Sequence, residues 1–192
     1  MMGRVDRTSD STRHSLATGL VILGALSRLL PHPPNMTSVG AMGLFSGSRL
    51  KMWQALSLPV LCMAITDPIL GKLHGYAAFS WETPIIYASL MFSVLIGRSL
   101  ARNGSATRVG IAALLCSTQF FVITNFAVWA MYGLYPHTWS GLATCYVAAL
   151  PFFGRTLVGD LLYAAILFGV YALVSRRIAR LDTEMVHERL SN

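Results

Sequence analysis

Apolar residues fall into long runs broken by short polar stretches. Four runs have the length of membrane-crossing helices or nearly so: 50–70, 83–100, 108–131 and 156–180. About 20 apolar residues are needed to cross roughly 30 Å of hydrocarbon, and fewer where the bilayer thins. A shorter run, 15–30, ends at Pro31, and two others, 38–48 and 139–153, are too short to be assigned by length alone. The pattern predicts an all-α chain with six transmembrane helices.

Basic residues decide which of the two short runs crosses, because Lys and Arg collect on the cytoplasmic side. If 38–48 crosses and 139–153 does not, twelve basic residues face inward: Arg4, Arg7, Arg13, Arg49, Lys51, Arg98, Arg102, Arg108, Arg176, Arg177, Arg180 and Arg189. Arg28, Lys72 and Arg155 are then left towards the outside. Either alternative moves basic residues outward. The expected organisation is a polar cytoplasmic tail over 1–14, a membrane domain over 15–180 and a second cytoplasmic tail over 181–192. Both termini lie in the cytoplasm of a cell whose inner membrane holds the chain. Residues 139–153 then become an outer re-entrant or lid-like segment, tolerable at membrane depth only under a protein cover.

Composition agrees with lipid as the solvent. Residues of the set AVILMFWYC make up 54% of the chain, charged residues 12%, and mean hydropathy is +0.56. The net charge of +7 could suggest nucleic acid, but the basic residues cap apolar runs in ones, twos and threes. That distribution describes topology and excludes a nucleic-acid surface. Cys62, Cys116 and Cys145 are scattered among apolar residues without CxxC spacing, which argues against a disulfide framework or a structural zinc site. Gly40, Gly43 and Gly47 give 38–48 a small-residue face suited to close helix packing.

Candidate chemistry gathers at the outer ends. In Arg28-Leu-Leu-Pro-His-Pro-Pro-Asn35-Met-Thr37 three prolines in four positions stop any helix, and Asn35 or Thr37 suits the N-cap of the next one. Arg28 is costly near the end of an apolar helix. It must snorkel, pair with Asp67 or Asp160, or meet a ligand. Asp67 and Asp160 are the carboxylates nearest the hydrocarbon, hence candidates for either an ion pair or a ligand. Asp160 is poorly placed to pair with Arg155 on its own helix, so a partner from another helix is expected. Asn125 and Trp129, at i and i+4, share a helix face and could form the floor of a ligand site; the alternative is an interhelical amide beside an interfacial indole. His32, His137 and Cys145 could supply metal ligands, but their spacing fits no standard zinc pattern, and no metal or cofactor is expected. Neither a Walker motif nor HExxH is present, and Gly43-Leu-Phe-Ser46-Gly47 has one residue too many for an intramembrane serine protease. A non-enzymatic protein is therefore expected. The runner-up is an intramembrane enzyme or a quinone- or lipid-binding module using His32, Asp67 and Asp160 in proton transfer.

The run from Arg28 through Pro31-His32-Pro33-Pro34-Asn35-Met36-Thr37-Ser38-Val39-Gly40-Ala41 resembles the opening signature of an uncharacterised bacterial membrane family. That family is itself similar to the substrate-binding (S) components of energy-coupling factor transporters. The likeness continues through Leu58-Pro59, Asp67, Leu70-Gly71, Phe120-Phe121, Thr124-Asn125-Phe126, Trp129, Tyr135-Pro136, Gly141-Leu142, Cys145-Tyr146, Leu150-Pro151-Phe152-Phe153 and Gly159-Asp160. The resemblance, over about residues 15–175, implies an S-component-like six-helix bundle. Such a bundle captures a small vitamin- or cofactor-like molecule from outside. The implied partners are that substrate, the lipid bilayer and an energising coupling subunit with its ATPases. S components usually dock that subunit through alanines four apart on the first helix; Ala17, Gly19, Gly24 and Ala25 are small but not so spaced. The expected substrate-binding set is Arg28, His32, Asn35, Asp67, Asn125, Trp129, His137 and Asp160.

Overall fold

The computed structural model describes residues 2–101 and 104–191, with side chains over 10–101 and 104–185. Arg102, one of the basic residues expected inside, lies outside the described residues, and so do the side chains of Arg4, Arg7 and Arg189. Six helices follow one another: α1 (Met2–Ser27), α2 (Val39–Arg49), α3 (Met52–His74), α4 (Thr83–Arg98), α5 (Ala106–Met131) and α6 (Trp139–Ser191). No strand occurs among the described residues. Three helices, Met52–His74, Ala106–Met131 and Trp139–Met185 of α6, are long and apolar enough to cross a membrane, and Thr83–Arg98 is a shorter apolar helix.

Contacts fix the direction of each helix. His14, midway along α1, meets Gln54 in the first turn of α3, and Arg28, just beyond the end of α1, meets Asp67 towards the end of α3, so α1 and α3 are parallel. Gly43 lies against Leu90 and Gly47 against Val94, so α2 and α4 run together. Phe121 on α5 packs against Phe153 and Trp129 reaches Pro136 and His137, so α5 and α6 form an antiparallel hairpin. The chain therefore runs up and down in alternation.

The helices form a ring around an axle. α1, α3, α4, α5 and α6 touch in that cyclic order, and α2 touches all five. Every residue from Ala41 to Ser48 is buried. Such enclosure requires small side chains. A Cβ on Gly43 would meet the Leu90 carbonyl oxygen at 3.0 Å, one on Gly47 would collide with the Val94 carbonyl, and one on Gly97 with that of Leu44. Of the glycine face read from sequence, Gly43 and Gly47 pack on α4, close to its backbone, whereas Gly40 faces the Asp160 carboxylate of α6. Phe45 fills the opposite side, edge-on to Phe168 and Tyr171 with centroids 5.1 and 5.7 Å away. Arg49 lies over the same two rings.

With 11 residues, α2 is only about 16 Å long. Alone it is too short to span a bilayer, and it is screened from lipid by its neighbours. Its ends are held by charges of the sign that a helix dipole favours. At the N-terminus the Asp160 carboxylate accepts from Ala41 N at 2.9 Å. At the C-terminus Arg98 Nη1 donates to the carbonyls of Gly47 and Leu50 at 3.1 and 2.8 Å. Neither Asn35 nor Thr37 caps α2, as the sequence had suggested. The N-cap position is Ser38, which makes no side-chain cap; its hydroxyl donates to Gly24 O at 2.6 Å. A cap drawn from another helix replaces the local one.

Prolines in this surrounding do not end helices. Pro59 and Pro68 lie within α3 and Pro151 within α6. Pro59 leaves the carbonyl of Ala55 without its helical donor, and Ser46 Oγ of α2 lies 3.1 Å from it, sharing its one proton between this oxygen and Gly43 O at 3.0 Å. Pro151 is passed without interruption, so the expected lid over 139–153 is not a separate element. It forms the first turns of one 53-residue helix. Away from water, a helix supplies the remaining backbone groups with partners more readily than a break does.

Candidate functional site

Because α2 starts only at Val39, it fills part of the ring's interior and leaves the part beyond its N-terminus to the 28–38 connection. Asp160 bonds to Ser117, which marks the level on α5 where α2 begins; from there α5 continues to Met131 for about 20 Å. The helix walls therefore stand above the start of the axle. Two chambers lie in this region. The larger, about 740 Å³, is bounded by residues 28–37 and the end of α3, with Arg28, His32, Asn35, Leu73, His74 and Tyr76 in its wall. The smaller, about 210 Å³, lies between Asn35 and the α5–α6 hairpin, where Phe120, Phe121, Phe152 and Phe153 surround Thr124, Asn125 and Thr156. The larger volume falls in the range of small-molecule sites.

Asn35 belongs to both chambers. It sits in a tight turn closed by Met36 N donating to Pro33 O at 3.1 Å, with Pro34 and Asn35 as the central pair. Its φ of 65° is the only positive value at a non-glycine residue among those described. Proline followed by a residue of positive φ is the arrangement of a type II turn, and Asn tolerates that region better than most side chains. Beyond the turn, Met36 and Thr37 pack against Gly159, where a Cβ would come within 3.2 Å of their backbone.

The charged residues of the expected set are engaged elsewhere. Arg28 donates from Nη2 to Asp67 Oδ1 at 2.7 Å and from Nη1 to Thr66 Oγ1 at 2.6 Å, and Tyr87 OH donates to Asp67 Oδ2 at 2.9 Å. Arg28 thus borders the larger chamber as half of an ion pair whose side chains are only 10% and 14% exposed. Asp160 is not its partner. That carboxylate is 2% exposed and accepts from Ala41 N and from Ser117 Oγ at 2.7 Å, which makes it a cap at the head of the axle. Asp67 and Asp160 therefore belong to separate hydrogen-bond networks.

Trp129 and His137 leave the site as well. The indole Nε1 donates to Pro136 O at 3.0 Å, the His137 Nε2 lies 3.1 Å from Trp129 O, and the two rings meet edge-on at 5.3 Å. They clasp the α5–α6 connection and line neither chamber. Asn125 does line the smaller chamber, so the expected Asn125–Trp129 floor is only half present. Cys145 Sγ donates to Asn125 O at 3.5 Å. No group of three or more His, Cys, Asp or Glu side chains placed to hold a metal occurs among the described residues. Sequence reasoning did not place His74 or the phenylalanine pairs 120–121 and 152–153 in the site. The paired phenylalanines were a visible signal, since adjacent residues on a helix turn one ring to the interior and one along its flank.

The fold and the chambers can be set beside known families. The chain belongs to a family of unknown function, DUF6580, whose pattern matches residues 8–181. No curated protein and no solved structure matches it. The matched residues include all of α2 and every residue lining the two chambers.

Proposed function

We propose that this DUF6580 protein is a substrate-capturing membrane subunit that takes up a small vitamin- or cofactor-like molecule from the outer face. In this reading it lies in the inner membrane with six alternating segments, α2 enclosed by the other five, and both termini in the cytoplasm. Its architecture is of the S-component kind, and an energising coupling module is its partner. The observation that carries the reading is the pair of chambers above a buried, charge-capped helix. Together they form a cavity of ligand size on the side that the basic residues assign to the outside. The charged groups around it are internally paired, which fits capture better than bond-making chemistry.

Native mass spectrometry of the protein purified in mild detergent tests this. A bound small molecule, lost when Asn125 and Asn35 are replaced, is the expected result. Catalytic turnover of a substrate by the isolated chain would overturn it.

A further inference from the structure

The ring of helices is interrupted on one side. Ser38, at the head of α2, donates to Gly24 O, which puts the last turn of α1 at the level where the axle begins. After Ser27 the chain passes into single turns, with Leu30 N donating to Ser27 O at 3.1 Å, and Pro31 ends them. α3 runs on from Asp67, the partner of Arg28, to His74, about 10 Å farther. In the ring α1 stands between α3 and α6, and those two helices share no contact among the described residues. Past Leu30, therefore, no helix joins them, and the 31–37 connection occupies the interval. Pro31, Pro33 and Pro34 keep that connection from continuing α1 and closing the wall.

The larger chamber lies at this interruption, between the connection and the end of α3. Its depth follows from α3, whose 23 residues make about 34 Å, close to the thickness of the hydrocarbon. The last turns of α3 therefore reach the upper part of one leaflet. Leu30, from the connection, and Leu73, from α3, both line the chamber, yet they are 65% and 66% exposed. Leucines so exposed at that depth have lipid for a neighbour. Leu29 and Leu70 continue the apolar wall, while the rings of His74 and Tyr76 stack at the outer rim with centroids 6.1 Å apart. Arg28 is the one Lys, Arg, Asp or Glu in this wall, and Asp67 answers its charge. The lining thus changes from leucines to stacked rings in the direction in which a leaflet changes from chains to headgroups.

We propose that the larger chamber opens sideways to the outer leaflet, between α3 and α6, and takes a single-chain amphiphile from the bilayer. The chain lies among Leu29, Leu30, Leu70 and Leu73, and the headgroup rests beside His74 and Tyr76. This rests on the capture reading and its orientation, and gives the captured molecule a chemical class and a route.

A long-chain alcohol carrying a diazirine at its far end tests it. The full chain in phosphatidylcholine vesicles is irradiated with this probe, and the labelled residues are read by mass spectrometry. Excess undecanol is expected to lower labelling of 29–30 and 70–73 at least about fivefold, because a seated chain exchanges for another of equal apolar area. Leu61, exposed on α3 nearer its N-terminus, is expected to stay equally labelled. Propanol, the same headgroup without the chain, is expected not to compete. Leu73→Asn alters an exposed position and is expected to weaken labelling of 29–30 about fivefold while the melting temperature holds. Undecanol that lowers labelling at Leu61 as much as at Leu30 means ordinary bilayer contact and overturns the proposal. Competition by propanol, indifference to Leu73→Asn, or no labelling around the chamber overturns it as well. In each of those cases a bound water-soluble molecule in the native mass spectrum leaves capture standing, and an empty spectrum removes both.

Discussion

Asp160 on α6 caps α2, with its Oδ1 2.9 Å from the backbone nitrogen of Ala41 and more than a hundred residues between them in the chain. A local cap would depend on a neighbour in sequence; this one ties the axle to the ring. Gly40 permits it, because a Cβ there would collide with the carboxylate.

Removing that carboxylate should therefore weaken the whole bundle. Asp160→Ala leaves Ala41 N and Ser117 Oγ buried without an acceptor and should cost about 3 kcal/mol or more. Asp160→Asn keeps an oxygen but loses the charge facing the helix dipole, and should cost about half as much. Thermal unfolding in detergent checks both, and equal stability of Asp160→Ala and wild type would refute the capping role.

Two glycine substitutions should behave oppositely. A methyl at Gly47 runs into the Val94 carbonyl, so Gly47→Ala must push α2 and α4 apart; little folded protein is expected. A methyl at Gly19 meets nothing within 4 Å, and Gly19→Ala should be neutral or stabilise by about 0.5–1 kcal/mol. Yield and melting temperature of the two variants decide it.

Ser46 and Pro59 should be energetically coupled. Ser46→Ala strands the Ala55 carbonyl and is expected to cost about 1 kcal/mol. In a Pro59→Ala background the helix supplies its own donor to Ala55, so the same change should cost clearly less. A double-mutant cycle that returns no coupling would show that the hydroxyl is incidental.

The Arg28–Asp67 pair should matter for stability more than for binding. Replacing Asp67 alone by Leu strands Arg28 in a largely buried position and should cost about 3 kcal/mol. Replacing both, Arg28 by Met and Asp67 by Leu, should recover much of that loss. If the single variant retains full stability but the native mass spectrum loses its bound molecule, Arg28 and Asp67 belong to the ligand after all.

Orientation has its own test. With Cys62, Cys116 and Cys145 replaced by Ala, a cysteine at 134 should react with an impermeant reagent on intact cells, and one at 104 should not. The reverse pattern would invert the topology and move the chambers to the cytoplasmic side.

What could be read from sequence followed from rules that act locally or by charge. Arg28 had to find a partner near the membrane, and Asp67 was one of two carboxylates within reach. The Pro34-Asn35 turn and the small-residue face of α2 also follow from residue type. The cap on α2 did not, because the accepting carboxylate, Asp160, comes from a helix near the other end of the chain. The 139–153 segment misled for a different reason: it was set apart by its short length and by the count of basic residues, and neither signal shows that one helix runs on through Pro151. Trp129 and His137 carried the chemistry of a binding site, yet each satisfies the other's neighbourhood at the α5–α6 connection. Residue type announces what a side chain can do, and only packing shows whether it is still available.

The shortness of α2 has one more consequence. About 16 Å of close-packed helix, with Phe45 and Met42 fully buried and Arg98 bonded across its foot, underlies the two chambers. That end of both chambers is therefore floored by packed helix. If the chain captures and releases a molecule as proposed, passage through this floor must first undo the contacts of Gly43 and Gly47 with α4, a seam in which backbone lies against backbone.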